Sequence, residues 1–272
     1  MVDADTRARP SALQRARWWA ADYLYAGCRQ LSIISAPRPF QRRRGEPAAW
    51  GRGDPSLPEV ILLPGVYEHW TFLRPLGDAL SAAGHRVRVV HGLGVNRRGV
   101  AETADRLARL LSRLPTPAAG RILVAHSKGG LIGKQMLVSS GAAREAATAA
   151  AAGGDAAKAA ASAGPGSQPM GVLGLVAIAT PFGGSRLARL FLDPSIRAFM
   201  PDDETLVSLG RATSVNGRIV SVYGPYDPHI PEGSALEGAT NVAVPAPGHF
   251  RVLSSPATHR AVLEGIAALA RT

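Results

Sequence analysis

Cysteine occurs once in 272 residues, at Cys28, so no internal disulfide can brace this chain. It must be held by its core, and it suits a reducing compartment. Lysine is nearly missing, at positions 128, 134 and 158 only, whereas arginine is frequent everywhere. The net charge of +11 therefore reads first as an arginine bias of the whole chain. Ten arginines against four acids do fall within residues 1–52, a surplus that an anionic membrane surface or a nucleic acid would attract. No basic face interleaved with aromatics and no nucleic-acid motif accompanies it, which argues against nucleic acid. Long apolar runs are absent too. The longest uncharged run, 159–185, is broken by Pro165, Pro169 and Pro181. Its dense part, Met170 to Ala179, is far short of the roughly 20 residues that span a bilayer. Trp18 to Ile34 is interrupted by Asp22, Arg29 and Gln30, which is unlike a secretory signal. The expectation is a cytoplasmic protein, with peripheral membrane contact through the N-terminal segment as its one membrane option.

What remains is 46% apolar and 19% charged, enough for one sizeable core. Residues 1–17 are polar and arginine-rich. Trp18, Trp19, Tyr23, Leu24, Leu31 and Ile34 recur at helical spacing, which predicts an amphipathic helix over 18–35. Pro37, Pro39, Pro47, Pro55 and Pro58 make 36–58 a connecting arm. Residues 1–58 thus form an N-terminal helix and arm ahead of a domain over 59–272. From residue 59 strands and helices alternate. Val60–Leu63, Val87–Val90, Ile122–Ala125, Val172–Ala179, Arg218–Tyr223 and Asn241–Val244 read as strands. Thr71–Ala83, Val100–Leu114, Gly129–Ser139, parts of 186–211 and Ala257–Ala270 read as helices. Residues 141–169, mostly Ala, Gly and Ser, read as a low-complexity insertion. The pattern predicts an α/β fold with a mostly parallel sheet and helices on both faces. Loops after the strands then share one edge, where ligands bind.

The chemistry gathers around Arg121-Ile-Leu-Val-Ala-His-Ser127-Lys-Gly-Gly130. Four apolar residues run into a serine with small residues two places away on either side, Ala125 and Gly129, and a helical pattern follows. This is a strand–turn–helix that lifts a serine hydroxyl above the sheet edge. A serine needs a base, and the base an orienting acid. Asp227 follows the fifth strand and His249 the sixth. Two N–H donors for a developing oxyanion are expected from Lys128, at the start of the helix, and from Val66 in the loop after the first strand, with Tyr67 as the alternative. His126 is expected to shape the turn. Glu68 and His69 border the oxyanion loop, and solvation serves for them as well as pocket lining does. The Lys128 side chain could draw an anionic head group or reach solvent.

Leu63-Pro-Gly-Val66 with Trp70, Ala125-His-Ser-Lys-Gly-Gly130 and Thr180-Pro-Phe-Gly-Gly-Ser185 together resemble the motifs of α/β-hydrolases of the lipase and esterase type. They are most similar to bacterial triacylglycerol lipases and inositol deacylases. Ala125, Phe182 and Pro64 depart from the usual Gly, His and His. The resemblance covers about 59–270. It implies an α/β-hydrolase fold with a lid-like insertion at 182–211. It also implies hydrolysis of carboxylic esters through an acyl-enzyme on Ser127, with no cofactor or metal. Trp70, Phe182, Leu187 and Phe191 are then candidates for an acyl pocket, against ordinary core packing. An acyltransferase using the same three residues, or a non-catalytic membrane- or partner-binding module, are the alternatives.

Overall fold

The structure, a computed structural model, describes residues 10–34, 46–91, 95–152 and 170–271. Six strands form one parallel sheet in the order β2-β1-β3-β4-β5-β6. They are β1 (Glu59–Leu63), β2 (Val87–Val89), β3 (Arg121–His126), β4 (Val172–Ile178), β5 (Ile219–Tyr223) and β6 (Thr240–Ala243). The helices are α1 (Ala12–Ile34), α2 (Arg74–Ala82), α3 (Val100–Leu111), α4 (Lys128–Ala152), α5 (Pro194–Arg197), α6 (Glu204–Arg211) and α7 (Pro256–Leu269).

Side chains alternate across a strand, so each apolar strand feeds two cores. Val60 and Leu62 of β1, Ile122 and Val124 of β3 and Val176 and Ile178 of β4 pack with α2 and α7 through Leu76, Leu80, Val262 and Ile266. Ile61, Leu63, Leu123, Ala125, Leu175 and Ala177 pack on the other face with α3, α4 and α6. The amino ends of the strands are clamped by charge. Arg121, 1% exposed, donates to Glu59 (2.8 Å) and to the carbonyls of Met170 and Pro115 (2.6 Å each).

The sequence pattern and the structure part in three places. Helix α1 begins at Ala12, inside the stretch read as polar tail, with Ser11 accepting from the Gln14 N–H. Helix α4 runs on to Ala152, because alanine sustains a helix that has lost its apolar stripe. The rest of the low-complexity insertion, 153–169, lies outside the described residues. The proline-rich arm is more than a connector. Trp50, in a 3-10 turn over Ala48–Arg52, is 1% exposed. It donates to Asp78 (2.9 Å) and packs edge-on against Trp70, at a ring separation of 5.6 Å. A Cβ on Gly77 would stand 2.4 Å from its ring, so glycine is what lets α2 close over it.

Residues 182–211 break into a 3-10 turn (Arg186–Leu190), α5 and α6, with Asp193 and Asp203 accepting from the first N–H groups of the two helices. Leu206 and Leu209 are buried in the core, whereas Leu190, Phe191 and Leu192 stand exposed.

Lys134, in the second turn of α4, is buried, with its ammonium 6.0 Å from the Phe182 ring centre. No carboxylate pairs with it among the described residues. Burial lowers its pKa from 10.5 to about 8. The folded state therefore bears the cost of a poorly solvated charge below about pH 8 and sheds it as pH rises toward 10.5. Lys134→Met should stabilise the fold at neutral pH by on the order of 2 kcal/mol. Urea denaturation should show that gain shrinking as the pH is raised through this window.

Candidate active site

Strands β1 and β3 are neighbours, and the sheet grows outward from them in opposite directions. The crevice at their carboxyl ends is where doubly wound sheets bind ligands. Leu63 pairs in register with Ala125 there, so the loop after β1 faces the turn after β3.

Ser127 occupies that turn with φ +50°, a conformation that costs a residue with a side chain about 1–3 kcal/mol. Its neighbours hold it there. The Ser127 N–H donates to Ile178 O (2.9 Å), and its carbonyl accepts from the Gly130 N–H and the Thr180 hydroxyl (3.0 Å each). A Cβ on Gly129 would lie 2.4 Å from Leu63 O, which is why the residue two places on must be glycine.

Asp227 and His249 come together on the same rim. His249 Nδ1 donates to Asp227 Oδ2 at 2.7 Å, which leaves Nε2 as the basic end of the ring. The other Asp227 oxygen accepts from the N–H groups of His229 (2.8 Å) and Ile230 (3.1 Å). Burial opposes a charged His249, but Asp227, helped by Glu68 and Asp22, raises its pKa above 6.5. Burial likewise works against an ionised Asp227, while the His249 charge and hydrogen bond hold its pKa below 3.8. His229 sits 4.8 Å away, ring to ring. Burial first, then the charge on His249, lowers its pKa to about 3, so it stays neutral. Its Nε2 finds no partner among the described residues.

A buried pair links these loops. His126, fully buried, contacts Glu68 Oε1 through Nδ1 (2.7 Å) and donates through Nε2 to the His249 carbonyl (2.9 Å). A carbonyl only accepts, so Nε2 carries hydrogen, and one proton serves the contact between Nδ1 and Glu68. The second Glu68 oxygen accepts the Gly65 N–H (2.7 Å). Glu68 is 3% exposed, which removes solvation, one of the two readings open to it from the sequence.

The oxyanion candidates divide. Val66 N–H has no acceptor among the described residues, and Lys128 N–H begins α4, where intrahelical acceptors are lacking. Tyr67, the alternative, is excluded, because its N–H donates to Val95 O (2.8 Å). The Lys128 side chain reaches neither head group nor solvent. It is 1% exposed and donates to Asn96 O (3.0 Å) and to Arg98 O. Burial, offset in part by Asp193, lowers its pKa to about 8. Asn96 Nδ2 in turn donates to Pro64 O (2.8 Å), so residues 95–98 brace the oxyanion loop from outside.

Of the pocket candidates, Trp70 and Phe182 belong to the two cores, packed against Trp50 and below Lys134. Leu187 is half-buried and Phe191 is 50% exposed.

Sequence reading had no partner for Asp22. This carboxylate of α1 is fully buried and accepts the N–H groups of His249 (2.9 Å), Phe250 (2.9 Å) and Arg251 (2.8 Å). Gly248, at φ +110°, leaves room for it, because a Cβ there would lie 2.5 Å from Asp22 Oδ1. The available signal was that Asp22 is the one acid in a helix of aromatics, alanines and arginines.

No protein-family model matches the sequence, and no curated protein does. Solved structures do. Aspergillus fumigatus lipase B superposes with a TM-score of 0.52 at 15% identity, over 78% of this chain and 53% of that one. This chain thus spans about half the length of that lipase. A thioesterase domain from the curacin biosynthetic pathway gives a TM-score of 0.48 at 14% identity, over 78% of this chain and 92% of that one. A metagenomic carboxyl esterase gives 0.47 at 18%, over 84% and 79%. The likeness is one of fold. With its parallel sheet, its switch point between β1 and β3 and its serine turn after β3, the chain has the α/β-hydrolase fold that its motifs implied.

Glu68→Ala should cost about 3 kcal/mol, because it strands the buried His126 ring and the Gly65 N–H together. Glu68→Gln, which keeps an acceptor, should lose less than half of that in a urea titration.

Proposed function

We propose that this chain is a serine esterase that cleaves carboxylic esters with an apolar acyl group. One observation carries the reading. The His249–Asp227 hydrogen bond stands on the rim that holds the strained Ser127 turn, and it leaves the imidazole Nε2 with no hydrogen bond among the described residues.

In this reading Ser127 Oγ attacks the ester carbonyl and gives its proton to His249 Nε2. Asp227 holds the other ring nitrogen and stabilises the imidazolium that forms. The N–H groups of Val66 and Lys128 receive the oxyanion, each donor worth about 2.7–4 kcal/mol in the transition state. The tetrahedral centre collapses, the C–O bond to the leaving alcohol breaks, and His249 returns the proton to that alcohol. Water, deprotonated by His249, then attacks the acyl-enzyme and releases the acid and free Ser127. The chain's own residues complete this cycle without a cofactor. Leu187 and Phe191, beside the rim, remain the candidates for acyl contact. The lipase named among the structures of like fold fits the same substrate class.

A fluorophosphonate probe should label Ser127 in the folded protein and leave Ser127→Ala unlabelled; absence of labelling in wild type would sink the proposal. A p-nitrophenyl ester series from short to long chains then reads acyl preference. The neutral imidazole is the base, so kcat/KM should climb with pH through an acid limb above 6.5, the side to which Asp227 moves His249. Asp227→Asn should shift that limb to lower pH and reduce kcat by roughly 10⁴.

A further inference from the structure

Helix α1 is turned inside out. A surface helix of a soluble protein ordinarily buries its apolar stripe and shows its charges to water. Here the carboxylate of Asp22 faces the protein, spent on three N–H groups of the His249 loop. Trp18 leans on Tyr226 at 5.7 Å and Tyr23 on His229 at 5.4 Å. The outward side shows Leu13 (65% exposed), Trp19 (49%) and Leu24 (70%), with Tyr23 (42%) at its edge. Ala20 and Gly27 between them are exposed as well, and Arg15 and Arg17 flank the N-terminal end.

A second apolar group stands on the same rim. Residues 185–195 are tied at one end by the Ser185 hydroxyl, which donates to His229 O (2.6 Å). The other end is tied by Asp193, which accepts from the Tyr67 hydroxyl. The stretch therefore bridges the loop under α1 to the oxyanion loop. Its middle, Leu190 (73% exposed), Phe191 and Leu192 (92%), points to solvent.

We infer that the outward face of α1 and the Leu190–Leu192 tip together dock on an anionic phospholipid surface and set the Ser127 rim against it. The chemistry selects this occupant. Trp and Tyr favour the boundary between head groups and acyl chains, and Leu the layer below. Arginine keeps its guanidinium among the phosphates while its stem lies on apolar surface. With Asp22 turned inward to its donors, the arginine surplus of residues 1–52 is left to attract anionic head groups. The helix is fastened to the His249 loop by charge-assisted hydrogen bonds, so it can present an apolar face without leaving its seat. No helix among the described residues is long and apolar enough to cross a membrane, and docking in the plane of the surface needs none.

The docking is independent of the esterase reading, since it is measured without turnover and Ser127 labelling reports on that reading separately. The full chain is sedimented with phosphatidylcholine vesicles with and without phosphatidylglycerol, at low and high salt. The same is done for Trp19→Glu/Leu24→Glu and for Leu192→Glu, all at exposed positions. Wild type should bind the anionic vesicles and weaken as salt rises. Each variant should lose about tenfold or more in binding, with its thermal unfolding unchanged. Failure to bind phosphatidylglycerol vesicles, equal capture by neutral ones, or equal binding by the variants would overturn the inference. So would a wild-type dimer in sedimentation velocity that the substitutions dissolve while no vesicle binding occurs; the face would then meet a second copy.

Discussion

One buried imidazole organises the upper edge of this molecule. His126 lies against Glu68 on one side and the His249 carbonyl on the other. Those two contacts join three loops that leave three different strands: the oxyanion loop after β1, the serine turn after β3 and the histidine loop after β6. Glu68 extends the chain of contacts to the Gly65 N–H. In so buried a place each of these groups would be costly alone, and each has a partner. The turn that carries the candidate serine and the loops that carry its candidate partners are thus tied together by groups that are assigned no chemistry themselves.

The same logic recurs around it. Thr180 grips the carbonyl of the strained Ser127. Lys128, whose backbone N–H begins α4, uses its ammonium to draw residues 96–98 inward. Asp22 reaches in from the far N-terminus to gather three consecutive N–H groups. Each is a buried charge or hydroxyl satisfied by backbone. Backbone groups in loops have no ladder to pair them, and side chains from elsewhere in the fold take that role. Helix α1 consequently attaches through Asp22 and the ring contacts of Trp18 and Tyr23, which leaves Leu13, Trp19 and Leu24 facing outward.

Much of the framework was legible in the chain. Short apolar runs bounded by Gly and Pro marked all six strands within a residue or two. The Ala125–Gly129 frame marked the serine turn, and Asp227 and His249 after the last two strands marked the remaining side chains. These are local signals, written in neighbouring residues. Trp50, hidden among prolines, was not legible, because proline density speaks for irregular backbone and says nothing of what a side chain buries. Trp70 and Phe182 misled for the opposite reason. Their motifs place them beside the site, while the space behind those loops belongs to the core.

Sequence by itself determined the parallel α/β architecture and the residues from which a serine site could be made, because strand alternation and turn sterics are properties of short stretches. Only the tertiary structure decided that Glu68 is buried, that the Tyr67 N–H is already taken and that Lys128 faces inward. It alone decided that Asp22 serves a loop 227 positions away. The reason is that a buried polar group is defined by its partner, and the partner is set by packing between elements far apart in the chain.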